Sequence, residues 1–249
     1  MFELKINDAK VFKDCIDALV TLIDEGEFEI KKDGISLRAM DPSQIAMVDF
    51  VMPKSSFEGY DVKNDTKIGL NLDDLSKITS RTRPEESLVL SLDETESRLI
   101  LVFKGKSTRR FNLPLLDISV TSPKEPKIEF DSELKFNSGT LKDSLKDASL
   151  VSPYVILSAT ASGFEMQAKG DKGNVLIESA KGDDVVIEHT VNKSAKAMFP
   201  LEYLNDLLRG TSNESIVTMD LKSDAPLRVS YKIGDAQVKY YLAPRIEGE

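Results

Sequence analysis

Residues 9–39 read AKVFKDCIDALVTLIDEGEFEIKKDGISLRA, and the chain states this pattern twice. Slid forward by 129 positions, Lys13-Asp14 falls on Lys142-Asp143, Ile16 on Leu145, Leu22 on Val151, Gly34 on Gly163, Leu37 on Met166 and Ala39 on Ala168. No gap is needed over about 30 residues. Further on, Leu72, Leu75 and Ile78 meet Leu201, Leu204 and Leu207 at the same offset. Ser87-Leu88-Val89 meets Ser215-Ile216-Val217 at an offset of 128, as Leu99, Leu101 and Phe103 meet Leu227, Val229 and Tyr231, and Pro114 meets Pro244 at 130. Helical and strand periods both survive the shift, which identifies two homologous halves.

Inside the quoted stretch one period gives way to another. Phe12, Ile16, Leu19, Leu22 and Ile23 stand three and four apart, which predicts an amphipathic helix from Ala9 to Asp24. Asp8 is placed to cap it, and Gly26 follows its end. Phe28 and Ile30 then alternate, Asp33-Gly34 makes a tight turn, and Ile35, Leu37 and Ala39 alternate back as a hairpin. A short second helix fits Asp73 to Ser80, followed by strands at Leu88–Leu92, Leu99–Lys104 and Thr108–Leu113. The second half repeats this with helices near Thr140–Leu150 and Leu201–Leu208. Between the halves, Pro123 and Pro126 punctuate a stretch without helical period. The expected fold class is α+β, with similar domains at 1–116 and 133–249 and a connector at 117–132, each domain packing two helices on antiparallel β-sheets.

Composition narrows the chemistry. The 249 residues are 41% apolar and 30% charged, enough for a core in each half, and 13 Gly and one Cys exclude collagen-like and disulfide-stapled classes. No apolar run approaches the ~18 residues of a membrane span, and the N-terminus does not read as a signal peptide, so an intracellular protein is expected. With 33 basic and 42 acidic residues the formal net charge is −9, so nucleic acid could be met only by a local concentration of Lys and Arg. Catalysis by imidazole or thiolate would have to run through His189 or Cys15, and neither has a ligand-spaced or activating companion. Asp73-Asp74 reads as a helix start, Asp183-Asp184 as a solvated loop, and Gly170-Asp171-Lys172-Gly173 as a turn rather than a phosphate loop. No catalytic residue, metal or cofactor is expected.

The motifs Ser36-Leu37-Arg38-Ala39-Met40-Asp41-Pro42-Ser43, Pro114-Leu115-Leu116-Asp117 and Tyr240-Tyr241-Leu242-Ala243-Pro244-Arg245-Ile246-Glu247 carry a resemblance. With them the chain resembles, over its whole length, the proliferating cell nuclear antigen family of DNA sliding clamps, in its archaeal form. The resemblance implies a DNA clamp fold closing as a homotrimer into a pseudo-six-fold ring around duplex DNA, with no enzymatic activity. Its implied location is cytoplasmic and nucleoid-associated in an archaeon, nuclear in a eukaryote. Implied partners are a clamp loader, DNA polymerase, flap endonuclease and DNA ligase. The rival readings are one subunit of a heterotrimeric clamp and, more distantly, a carboxylate-metal nuclease.

Three residue sets follow. Lys142 and Lys146 form an i,i+4 stripe beside Asp143 and Asp147; Lys10 and Lys13 lie on the first helix, Lys77 on the second, and Arg209 ends the fourth. An isolated domain would carry these as an ordinary solvated face; in a ring they, with Arg81, would line the channel and touch phosphates without reading bases. A closed ring of identical chains needs a heterologous seam, and pairing of Lys106–Leu113 with Gly173–Ala180 of the next copy is expected, Val175 and Ile177 lying on the receiving strand. By resemblance, Phe111 and Ile78 pack on Ala148 and Val151 of the neighbour, and Arg81, Arg83 and Arg109 face its Asp143 and Asp147. By resemblance again, Met40, Gln44, Ile45, Met47, Pro226, Tyr241, Ala243 and Pro244 form an apolar groove for a short partner motif. Thr121-Ser122-Pro123-Lys124-Glu125-Pro126 contains no large aliphatic residue, so the connector side of that groove is the weaker wall.

Overall fold

The computed structural model describes residues 2–118, 122–171, 173–181, 183 and 185–245. Thr121, Lys172, Asp184, Ile246 and Glu247, named above, lie outside the described residues. Two compact units emerge, one formed by Met1–Pro42, Val48–Lys124 and Lys232–Val238, the other by Ser43–Met47, Glu125–Tyr231 and Lys239–Glu249.

The first unit holds β1 (Phe2–Ile6), α1 (Ala9–Val20), β2 (Glu25–Lys31), β3 (Gly34–Met40), most of β4 (Ala46–Pro53), β5 (Gly59–Val62), β6 (Thr66–Asn71), α2 (Leu72–Thr79), β7 (Ser87–Asp93), β8 (Arg98–Lys104) and β9 (Thr108–Pro114). Five of these strands form an antiparallel sheet in the order β5-β1-β7-β8-β9, which leaves β9 at an edge. The other sheet strands run β4-β3-β2-β6, with Glu29 opposite Ser36 in the hairpin and Phe28 opposite Ile68. Alternation puts Leu4, Ile6, Phe28, Ile30, Leu88, Leu90, Leu101 and Phe103 inside, where they meet Phe12, Ile16 and Leu19 of α1.

The second unit repeats the plan: β10 (Ser132–Asn137), α3 (Ser138–Ser149), β11 (Tyr154–Thr160), β12 (Gly163–Gly170), β13 (Gly173–Ala180), β14 (Val186–Val191), β15 (Ala195–Pro200), α4 (Leu201–Leu207), β16 (Ile216–Leu221), and most of β17 (Leu227–Ile233) and β18 (Ala236–Leu242). One sheet has the order β13-β12-β11-β15, which leaves β13 at an edge, and the other strands run β14-β10-β16-β17-β18. Leu134, Phe136, Leu141, Leu145, Leu157 and Phe199 are buried, with Phe136 meeting Phe164 edge-on at 4.9 Å between centroids.

Three local expectations shift. The first helix ends at Val20 rather than Asp24, because the Leu22 and Ile23 amides close a turn on the Leu19 carbonyl and the chain enters β2 at Glu25. Gly26 is therefore no helix stop; it is a strand residue whose added Cβ would lie 2.5 Å from Leu37 Cδ1. The second helix is capped by Asn71, whose side-chain oxygen accepts from the Asp74 amide at 2.8 Å, so Asp73 and Asp74 occupy the first turn, where they complement the helix dipole. Asp8 caps α1 as expected, accepting from the Lys10 amide at 2.9 Å. Leu116 pairs with Gly69, no helix or strand is described between it and Ser132, and the connector beyond Glu125 belongs to the second unit.

Candidate functional sites: helix faces, sheet edges and an apolar groove

The helices present their cations in company. Lys10 donates to Asp14 and Lys13 to Asp17, each one turn on along α1. The Asp17 carboxylate, bonded to the Lys13 ammonium, holds it above its usual range against the opposing pull of burial. Lys77 reaches Asp74 at 2.9 Å, Lys146 reaches Asp143 at 2.9 Å and Arg209 reaches Asp206 at 3.0 Å. Lys142 differs: its ammonium donates to the Thr211 carbonyl at 2.7 Å, and burial, then Lys146, lowers its pKa. Among the described residues only Arg81 of the expected set is exposed without a hydrogen-bonding or ionic side-chain partner. Five of these cations lie on helices and Arg81 and Arg209 just beyond the ends of α2 and α4; Lys10, Lys13, Lys77, Lys146 and Arg209 have carboxylates beside them.

Four of the expected seam residues, Arg109, Phe111, Val175 and Ile177, lie on the edge strands β9 and β13. On β9, Arg109 and Phe111 are half-buried, the Phe111 ring lying edge-on to Phe103 at 5.8 Å, and Ile78 of α2 is half-buried as well. On β13, Val175 and Ile177 are half-buried and Leu176 is 45% exposed. Asp143, Asp147, Arg81 and Arg83 are exposed, and Val151 is half-buried. Two expectations change. Ala148 is 0% exposed, because it lies on the buried face of α3 with Leu141 and Leu145, and it has no surface to offer a neighbour. Arg109 is engaged inside its own chain, donating to Glu86 at 2.5 Å.

In the second unit, segment 43–47 meets the end of β18: the Ala243 amide donates to the Ile45 carbonyl at 2.9 Å. Ile45 is 37% exposed, Gln44 is exposed with φ +58°, and Pro226, Ala243 and Pro244 are half-buried, whereas Met47 and Tyr241 are buried. Met40, in the first unit, is 37% exposed at the end of β3. The Tyr241 hydroxyl donates to Glu125 Oε1 at 2.7 Å, and Lys239 Nζ lies 3.5 Å from the same oxygen. Burial, with the Glu125 carboxylate behind it, pushes the Tyr241 phenol up to about 12. Below it Arg228 donates to the buried Asp220 at 2.8 Å and covers the Phe130 ring at 4.7 Å. From the connector, Glu125 thus meets Tyr241 and Phe130 meets Arg228.

Residues 1–123 match the family model described as "Proliferating cell nuclear antigen, N-terminal domain", and residues 124–246 match its C-terminal domain. The chain belongs to the proliferating cell nuclear antigen family. A DNA polymerase sliding clamp of Methanococcus vannielii is 35% identical over 250 residues, covering 99% of this chain and 100% of the relative, and one of Pyrococcus furiosus is 34% identical over 247 residues, covering 99% of both. Among solved structures, proliferating cell nuclear antigen from Thermococcus kodakaraensis superposes with a TM-score of 0.94 at 28% identity, over 98% of this chain and 100% of that one. The structure of the C-terminal region of FEN-1 bound to the A. fulgidus family member gives 0.91 at 28% identity, over 100% of both chains. The chain is a DNA polymerase sliding clamp in function, a processivity factor of DNA replication without enzymatic activity. Among the described residues no helix is long and apolar enough to cross a membrane.

Sequence reasoning missed Glu86, Glu125 and the pairing of Asp14 with Lys10 and of Asp17 with Lys13. The two aspartates were within reach of it, since each follows its lysine by four positions on a helix; Glu86 and Glu125 meet partners 23 and 116 positions away and leave no local signal.

Proposed function

We propose that three copies of this chain close head to tail into a ring that encircles duplex DNA and tethers replication and repair enzymes through the groove at Tyr241. The observation that carries this reading is the pair of unused sheet edges, β9 in one unit and β13 in the other. The repeat supplies the reason they should join. Ile45 corresponds to Asn174 and Ala243 to Leu113, so the bond from Ala243 to Ile45 has its counterpart in Leu113 and Asn174, on two edges that lie free in a single chain. A second copy brings the missing partner, the same contact is renewed at each step, and closure leaves neither β9 nor β13 unpaired.

Phe111 and Ile78 would pack toward Val151, Val175 and Ile177 across each seam. Arg81 and Arg83 would face Asp143 and Asp147 of the neighbour; Arg109 stays with Glu86. Exposed pairs contribute only ~0–1 kcal/mol each, so they set register more than strength. Helix cations Lys10, Lys13, Lys77, Lys142, Lys146, Arg81 and Arg209 would meet phosphates without sequence preference. In the groove, Ile45 supplies apolar surface above Met47, whose flexible thioether lets it adapt, and Pro226, Ala243 and Pro244 a firm edge. The A. fulgidus relative bound to the C-terminal region of FEN-1 supports a flap endonuclease as one occupant. By family resemblance DNA polymerase, DNA ligase and the clamp loader are the others.

Sedimentation of the purified chain tests assembly, with about three times 27.6 kDa expected. A monomer at micromolar concentration would overturn the homotrimer in favour of a chain that needs different partners. Processivity on loaded circular DNA tests the groove: Tyr241→Ala should sediment as the wild type yet fail to support long synthesis.

A further inference from the structure

We infer that Asp14, Asp17 and Asp206 are tethers that draw the helix cations off the DNA backbone and keep the clamp's grip on duplex DNA weak. The inference rests on the reading that these helices face DNA. Its basis is the charge ledger of the helices themselves. With Arg81, Asp143 and Asp147 left to the seam, the four helices with Arg209 carry six cations against six carboxylates, so the helices have no positive surplus. Proximity makes the compensation local. Lys10 is on Asp14, Lys13 on Asp17 and Arg209 on Asp206, each carboxylate one turn from its cation and 22–35% exposed, beside the ammonium or guanidinium rather than beneath it.

A phosphate approaching such a lysine meets a pair, not a free ammonium. To bind, it must displace the carboxylate or accept the repulsion of a nearby negative charge, so each contact is weakened and shortened in time. A surface made of such pairs holds DNA by enclosure while letting it pass. It also suits a chain of net charge −9 that must not collect nucleic acid before it is loaded. The aspartates are positioning residues here: they act through the cations and touch no DNA.

The test is equilibrium binding of a 30-base-pair duplex by anisotropy across 50–200 mM salt, with single-molecule diffusion of loaded rings as a second readout. Asp14→Asn with Asp17→Asn frees Lys10 and Lys13, and each lysine newly engaged should steepen the log–log salt slope by roughly 0.9. The variant should therefore lose about tenfold more affinity than the wild type across that salt range, bind more tightly at its lower end, and diffuse more slowly. Asp206→Asn in the other unit should act in the same direction by itself. A variant with the same charge change on strands, Asp61→Asn with Glu133→Gln, should stay near the wild type; equal tightening there would reduce the effect to net charge and overturn the tether. If Lys10→Gln with Lys13→Gln weakens binding but the aspartate variants match the wild type, the helices face DNA and the tether is wrong. If neither set changes binding or diffusion, the DNA-facing reading itself fails.

Discussion

Arg109 Nη2 lies 2.5 Å from Glu86 Oε2, and that carboxylate is only 2% exposed. The same Glu86 side chain accepts from the Arg83 amide at 2.9 Å, and its backbone carbonyl accepts from Ala9 at 2.8 Å. Arg109 in turn lies 5.0 Å from the Phe103 ring and 6.0 Å from the Phe111 ring. One buried acid therefore fastens edge strand β9 to the loop beyond α2 and to the start of α1. Glu86→Ala leaves a half-buried guanidinium unpaired and should cost about 3 kcal/mol in urea unfolding. Glu86→Gln, which keeps the shape, should cost less, and the paired change Glu86→Leu with Arg109→Met should recover most of the loss.

The groove tyrosine gives a pH signature. The folded chain holds the Tyr241 proton up to about 12, against 10.0 for a free phenol. Below pH 10 the contribution is fully present; between 10 and about 12 the unfolded chain loses the proton first and stability falls. Tyr60 is also raised to about 12, by burial first, so the wild type keeps a second source of the same slope. Subtracting the Tyr241→Phe profile from the wild-type profile, in denaturant titrations from pH 9 to 12, should leave a falling component; a flat difference would contradict the buried phenol.

At the proposed seam, half-buried apolar side chains on both edges should matter more than ion pairs. Val175→Lys with Ile177→Lys places two charges on β13 and should convert trimer to monomer by sedimentation while leaving the far-ultraviolet dichroism unchanged. Asp143→Ala with Asp147→Ala should only raise the salt sensitivity of the trimer; assembly indifferent to salt and to both alanines would remove the ion pairs from the account.

Cys15 offers a probe of opening. It is fully buried on α1, and burial, with Asp14 adding to it, pushes its thiol up to about 12. A thiol reagent at pH 8 should leave the native chain unmodified and label it only at the rate of unfolding. Prompt labelling would mean that α1 lifts from its sheets without global unfolding.

Periodic features were the legible ones. The offset of Lys13-Asp14 to Lys142-Asp143 exposed the duplication, and apolar spacing placed all four helices and the hairpin at Asp33-Gly34. Misreadings occurred where tertiary contact overrode local pattern. Leu22 and Ile23 extend the apolar period of α1 because they are buried, although they lie in the turn beyond it. Ala148 was placed at the seam by resemblance, yet 100° per residue turns it to the core with Leu141 and Leu145. The polar network Asp220–Arg228 and Tyr241–Glu125 joins residues by sheet register and connector path, which no single-chain spacing encodes.

Residues 232–238 count with the first unit and residues 43–47 with the second, so each half borrows a piece of chain from the other's stretch of sequence. The duplication is therefore no longer divisible. A protease nick in the connector would leave each fragment without one segment of its own unit, and neither expressed alone should give a well-ordered product. A repeat that is plain in the sequence has ceased to be two separable pieces of chain.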